Sequence, residues 1–255
     1  MSIKHAGMVT ALALSFGEAE FAHGAVIFSG SGTGQTSDGP GEISASATFS
    51  LSGGDLQVTL SNTSTDPTSD PANELIAILF HTADAPSSLS LVSQYLPGTV
   101  ATPQYQWNGS SSTKYTSAYD LPSNEQWSLP NNTLPSGYNT GIGGAGLNYF
   151  GSNPKIGIVS PTYAGAGHGS IGSPFQDSLT FDIAGYTGNL SDISAGKVEF
   201  LFGTGTGGSY QVPGTLESVP EANFGWAAAL LVIPIGLQVL KRKNHLQQLG
   251  EMGLI

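Results

Sequence analysis

The chain contains no cysteine. That excludes a disulfide framework, a thiol nucleophile and a thiolate metal site. Charge is also scarce: Asp, Glu, Lys and Arg make up 10% of the 255 residues. Basic residues are the scarcest, seven Lys and Arg against eighteen Asp and Glu, for a formal net charge of −11. Between Val26 and Glu217 only Lys114, Lys155 and Lys197 stand against fourteen acids. A surface this acidic repels nucleic acid and anionic headgroups, so no nucleic-acid partner is expected; cations or a neutral glycan fit better.

Catalytic signatures are missing as well. No Walker lysine pattern, H-E-x-x-H or G-x-S-x-G elbow is present. Gly141-Ile142-Gly143-Gly144-Ala145-Gly146 fits the letters of a dinucleotide-binding loop. No helical pattern follows it and no βαβ unit surrounds it, so it reads as a loop and no cofactor is expected. In the interval before Val219, His81 ends an apolar run and His168 lies among glycines, which reads as a capped strand end and a solvated loop rather than a triad. Two carboxylates facing across a cleft, the requirement for glycoside hydrolysis, cannot be assembled from Asp120 and Glu125 or from Asp177 and Asp182 by sequence. The expectation is a protein that is not an enzyme.

What the chain does have is glycine, 35 residues of it, with abundant serine and threonine. Together with short alternating runs, this suits an all-β domain. Ala45, Ala47, Phe49 and Leu51 alternate with small polar residues, Ser52-Gly53-Gly54-Asp55 follows, and Leu56, Val58 and Leu60 alternate again. Two period-2 runs around a glycine turn predict a β-hairpin with one buried face. Glu74 to His81 is apolar on both faces and predicts a central strand covered on both sides. Further strands are expected at Leu89 to Leu96, Leu147 to Phe150, Lys155 to Ser160, Ser178 to Ile183 and Lys197 to Gly203. These add up to a single β-sandwich over 42–203, jelly-roll-like or Greek-key-like. The Gly/Ser-rich stretch 26–41 reads as a flexible lead-in and 204–217 as a Gly/Thr-rich linker.

Two clusters inside the domain draw functional readings. Between Pro97 and Gly146 the strand pattern breaks and aromatic residues stand among Ser, Asn, Pro and Gly. Trp107, Tyr115, Tyr119 and Trp127 either stack on sugar rings as a glycan platform or bury into a second layer of core. Asp66, Asp70 and Glu74 surround a polar turn, and three carboxylates offer the oxygen donors that a calcium ion takes. Their spacing does not match an EF-hand loop, and a solvated acidic turn is the plainer reading.

Both chain ends read as addresses. Met1 to Ala25 begins with Lys4 and His5, continues with the apolar run Ala6 to Phe16 and ends in the small residues Ala22-His23-Gly24-Ala25. That is the layout of a signal peptide. At the other end, Ala222 to Leu240 carries no charged side chain. As a helix it would span roughly 28 Å at about 1.5 Å per residue, close to the ~30 Å hydrocarbon core of a bilayer. Trp226 sits at a depth that suits an interfacial aromatic, and Lys241, Arg242 and Lys243 follow at once. The positive-inside rule puts those cations and the tail 244–255 in the cytoplasm, and the domain before Val219 outside it.

Val219-Pro220-Glu221, an apolar helix over 222–240 and a basic cluster, in that order, resemble the carboxy-terminal PEP-CTERM sorting signal of exosortase-dependent surface proteins. The chain departs from that pattern at Ala222, where the family has a second proline, and in its longer tail. The strand pair Glu42 to Asn62 is similar, more loosely, to ectodomains of the same group. The resemblance implies an exosortase as processing partner, a membrane-lipid contact through the helix, and transfer from an inner-membrane anchor to the cell surface or matrix. It further implies a structural or adhesive role in the bacterial envelope or exopolysaccharide matrix, as in biofilm. The alternative function is a carbohydrate-binding module built on the aromatic loop.

Overall fold

The structure, a computed structural model, describes residues 24–36, 39–65, 73–82, 88–108, 111–123, 125–144, 149–150, 157–163, 174–194, 196–203 and 210–217. The leader 1–23, Asp66, Asp70, His168, Val219, Pro220, Glu221, the apolar run 222–240, Lys241, Arg242, Lys243 and the tail lie outside the described residues. Among the described residues no helix is long and apolar enough to cross a membrane.

In chain order the strands are β1 (Val26–Thr36), β2 (Gly39–Ser52), β3 (Asp55–Asn62), β4 (Leu75–Phe80) and β5 (Ser90–Leu96). They continue with β6 (Gln104–Asn108), β7 (Ser111–Tyr115), β8 (Tyr119–Asp120), β9 (Thr140–Gly143) and β10 (Ile158–Val159). The last are β11 (Phe175–Gln176), β12 (Ser178–Ala184), β13 (Val198–Phe202), β14 (Tyr210–Pro213) and β15 (Thr215–Leu216), with one helical turn, α1 (Leu190–Ser194), before β13. The first sheet runs β15-β1-β2-β3-β12-β5-β8 and the second β14-β13-β4-β10-β11-β6-β7, with β9 also on β4. The fold is therefore all-β, two sheets closing on one core. Phe49 of the first sheet meets Phe80 of the second edge-on, ring centroids 5.1 Å apart.

The predicted hairpin forms as β2–β3, with Ala45, Ala47, Phe49, Leu56, Val58 and Leu60 fully buried. Gly53 and Gly54 close it with φ of 61° and 93°, a conformation that residues with a Cβ rarely adopt. The covered central strand forms as β4, all six residues buried. Its pairing with β13 skips Ile76, and this bulge changes the alternation. Leu75, Ile78 and Phe80 accordingly join the main core. Ile76, Ala77 and Leu79 face outward into a second cluster with Phe150 and Leu201, against which Leu134, Tyr138 and Tyr149 pack.

Three expectations are corrected. Residues 26–41 are no lead-in: β1 pairs with β2 from Val26↔Phe49 to Thr36↔Gly39. Glycine sits at Gly30 because a Cβ there would lie 2.6 Å from the Pro213 carbonyl oxygen and 2.9 Å from Val212 Cγ1. Close packing, rather than freedom, explains the glycines. Residues 210–217 are likewise no linker, since β14 pairs with β13 and β15 with β1. The domain thus reaches from β1 to β15 rather than over 42–203. Finally, of the expected strand at 147–150, 147–148 lie outside the described residues and Tyr149 and Phe150 are not in a strand, while a strand forms instead as β9 at Thr140–Gly143.

Candidate functional site

The register divides the sandwich into two ends. Val26, the Gly53–Gly54 turn and Phe80 lie at one; Asn62, Leu75 and Ser178 lie at the other. The chain leaves β15 at the first end, where the Glu217 N–H donates to the Ile27 carbonyl at 2.9 Å. Of the residues singled out in the sequence, Glu74, Asp177 and Trp107 lie toward the second, and His81 and Asp182 toward the first.

There the chain crosses from β11 to β12 through one residue, Asp177, in a left-handed conformation with φ 77°. Aspartate tolerates this better than most residues with a Cβ. Its carboxylate accepts from Gln104 Nε2 at 2.9 Å. Asn62, fully buried, donates to the carbonyls of Asn73 and Ile158, each at 2.8 Å, and accepts from the Ser64 N–H. These bonds tie the two sheets together at that end.

Glu74 lies beside them, 1% exposed. Its Oε1 accepts from the Gly157 N–H at 2.6 Å. Burial pushes the carboxyl up to about 8, and that backbone hydrogen bond only partly offsets the shift. Tyr163 nearby is raised by burial first and by the proximity of Glu74 second. Glu74 is therefore an interior carboxyl rather than part of a solvated acidic turn, which corrects the reading of Asp66, Asp70 and Glu74 at this residue. Among the described residues no group of three or more His, Asp or Glu is placed to hold a metal. The sequence signal for a buried Glu74 was its position directly before the all-apolar run Leu75–Phe80.

The four aromatic residues do not come together. Gln106 is opposite Phe175, a core residue, so alternation points Tyr105 and Trp107 to the outer face of the second sheet. Trp107 meets Tyr163 edge-on at 5.5 Å and its Nε1 donates to Gln176 Oε1 at 3.4 Å. Tyr115 ends β7, an edge of the second sheet, and Tyr119 starts β8, an edge of the first. Their rings stack at 4.2 Å, joining the two edges. Burial, and then Tyr119, push the Tyr115 hydroxyl up to about 12, and that hydroxyl donates to Gln106 Oε1 at 3.1 Å. Trp127 is 2% exposed and packs on Phe181 at 5.3 Å in the main core. As a glycan-stacking residue Trp127 is thus corrected: it belongs to the core.

The carboxylates considered for hydrolysis are engaged singly. Asp182 accepts from Gln57 Nε2 at 3.0 Å and from the Ser93 hydroxyl. Glu125 accepts from Gln106 Nε2 at 2.9 Å, while Asp120 is exposed. His81 is exposed just past β4. The glycine run 141–146 holds β9, antiparallel to β4. Gly143 and Gly144 sit against the rings of Phe150 and Trp127, where a Cβ has no room.

No protein-family model, curated protein or solved structure matches this chain.

Proposed function

We propose that the chain is an exported bacterial cell-surface protein, membrane-anchored or exosortase-sorted, with a structural or adhesive role in the envelope or exopolysaccharide matrix. Its architecture in this reading is a jelly-roll-like or Greek-key-like sandwich followed by one transmembrane helix over 222–240. One observation carries it. The described fold fills the interval between the two address-like ends, and its first and last strands are paired, Phe28 opposite Leu216. Val26 and Glu217 thus lie together, so the leader and the sorting signal both join the domain at one end. The opposite end, with Asp177, Glu74 and Trp107, is then presented away from the membrane.

The role is mechanical or adhesive in this reading, and its partners are exosortase, membrane lipid and exopolysaccharide. The test is fractionation of the full-length chain beside a version lacking Val219 to Ile255, with intact-mass analysis of the mature product. Release of only the shortened chain from membranes supports the anchor, and a mature mass ending near Glu221 supports sorting. A shortened chain that still sediments with membranes sinks the proposal.

The runner-up is a carbohydrate-binding module on the aromatic loop. It is favoured by the outward placement of Trp107 beside Tyr105 and no longer draws on Trp127. Unchanged glycan retention after Trp107→Ala removes it.

A further inference from the structure

The segment that covers the outer face of β4 forms an open cleft of about 700 Å³, lined by Pro130, Asn131, Asn132, Thr133, Leu134, Tyr138 and Asn139. That volume falls in the range of small-ligand sites, roughly 300–1,000 Å³. No charged side chain lines it, in a chain whose formal net charge is −11. Its apolar lining comes from Pro130, Leu134 and Tyr138. Asn131 and Thr133 add an exposed side-chain amide and a hydroxyl, each able to donate and accept.

The walls are fixed from behind. The Tyr138 ring packs on the Ile76, Leu79 and Phe150 cluster. Its hydroxyl bonds Glu199, its N–H donates to the Pro135 carbonyl at 3.2 Å, and burial with Glu199 pushes the phenol up to about 12. The Asn139 amide is locked on Thr82, accepting from its N–H at 2.8 Å and donating to its carbonyl at 2.6 Å. Asn131 and Thr133 stand exposed at the opening, and the Asn131 N–H donates to the Tyr149 carbonyl at 2.9 Å. Tyr138 and Asn139 are thus preorganised parts of the lining, with the exposed Asn131 and Thr133 side chains beside them.

We infer that this cleft binds a neutral oligosaccharide segment, with Tyr138 against a sugar's C–H face and the Asn131 and Thr133 side chains on its hydroxyls. The lining itself offers a cation no carboxylate and an acidic sugar no cationic side chain; the nearby Glu199 is taken by the Tyr138 hydroxyl, and Lys197 lies against Gly137. A wholly apolar ligand would cover the exposed Asn131 and Thr133 side chains without pairing their polar groups. The inference deepens the envelope reading and rests on it only for the source of the saccharide.

The test uses the purified full-length chain in detergent and ligand-observed NMR with cellotetraose, laminaritetraose, mannotetraose and tetragalacturonic acid. At least one neutral tetrasaccharide is expected to bind, in preference to the acidic one. Thr133→Trp fills the opening from an exposed position and is expected to weaken binding about tenfold or more, with the melting temperature unchanged. Asn131→Ala, a milder change, is expected to weaken it in the same direction. No binding by any neutral probe, preference for the acidic probe, or binding untouched by Thr133→Trp overturns the inference. Membrane fractionation is read separately, so loss of the cleft and loss of the anchor are distinct results.

Discussion

The side chain of Gln94 pairs with the backbone of Trp127 as a neighbouring strand would. Its Nε2 donates to the Trp127 carbonyl at 2.9 Å and its Oε1 accepts from the Trp127 N–H at 2.7 Å. The segment around Trp127 belongs to no strand except for the single bridge between Ser128 and Gly143. A buried backbone without ladder partners needs others, and one glutamine supplies both. This lets an irregular segment insert an indole into the core against Phe181. Gln94→Leu keeps the volume but leaves a buried donor and acceptor bare, each costing about 1–3 kcal/mol. We expect a loss on the order of 3 kcal/mol in urea unfolding followed by tryptophan fluorescence. A change under about 0.5 kcal/mol would show that the pairing is incidental.

Glu74 makes stability depend on pH with a definite sign. Its folded value is about 8, against an ordinary value of 4.5. Below 4.5 the carboxyl is protonated folded and unfolded, and nothing is lost. Between 4.5 and about 8 the unfolded chain ionises while the buried carboxyl keeps its proton, so stability falls as pH rises. The full effect is on the order of several kcal/mol. Tyr163, the titratable neighbour on the described residues, ionises above this window because its own value is raised from 10. Glu74→Gln keeps an acceptor for the Gly157 N–H and removes the titration. Urea midpoints at pH 5, 6.5 and 8 should fall for the parent chain and stay level for the variant; parallel curves would rule the mechanism out.

How much of this was legible depended on whether a signal was periodic. Alternation at Ala45–Leu51 and Leu56–Leu60 placed β2 and β3 correctly because one face is buried along most of their length. The doubly apolar run at Leu75–Phe80 gave a strand covered on both faces, though not the bulge at Ile76. In β1 the inward positions that follow Phe28 are Gly30, Gly32 and Gly34, so alternation leaves no hydrophobic trace there and the strand reads as low complexity. β14 and β15, at four and two residues, are too short for any period to register. Trp127 failed for another reason: its burial is set by Gln94, thirty-three residues away, and no local pattern encodes that pairing. Asn131 and Tyr138 read as loop, and only the packing of that loop on β4 makes them walls of a cleft.

β1 offers a direct contrast between flexible and packed glycine. If Gly30 belonged to a mobile lead-in, Gly30→Ala would be neutral or slightly stabilising through the unfolded chain. In the fold the added methyl meets the Pro213 carbonyl oxygen at 2.6 Å and Val212 Cγ1 at 2.9 Å. Overpacking of this kind costs about 1–3 kcal/mol. Thermal unfolding of the full-length variant should show a lowered midpoint, and an unchanged or raised midpoint would contradict the packed strand.

The pairing of β15 with β1 decides how the domain meets whatever follows it. Three contacts hold it: Phe28 opposite Leu216, Ser29 opposite Thr215, and the Glu217 N–H on the Ile27 carbonyl. Glu217→Pro deletes that donor at an exposed position, so the core is untouched and the global loss should stay near 1 kcal/mol. The local consequence should be larger, because two register pairs hold little on their own. Hydrogen exchange should accelerate at Thr215 and Leu216 while the β2–β3 amides keep their protection. Limited proteolysis should then cut the variant within 214–217 before any other site in the described fold. If 210–217 behaved as a tether, parent and variant would exchange and be cut alike. Slower cleavage in the parent alone means that the last strand is part of the sandwich, and that a pull on the carboxy-terminal segment is transmitted directly to β1.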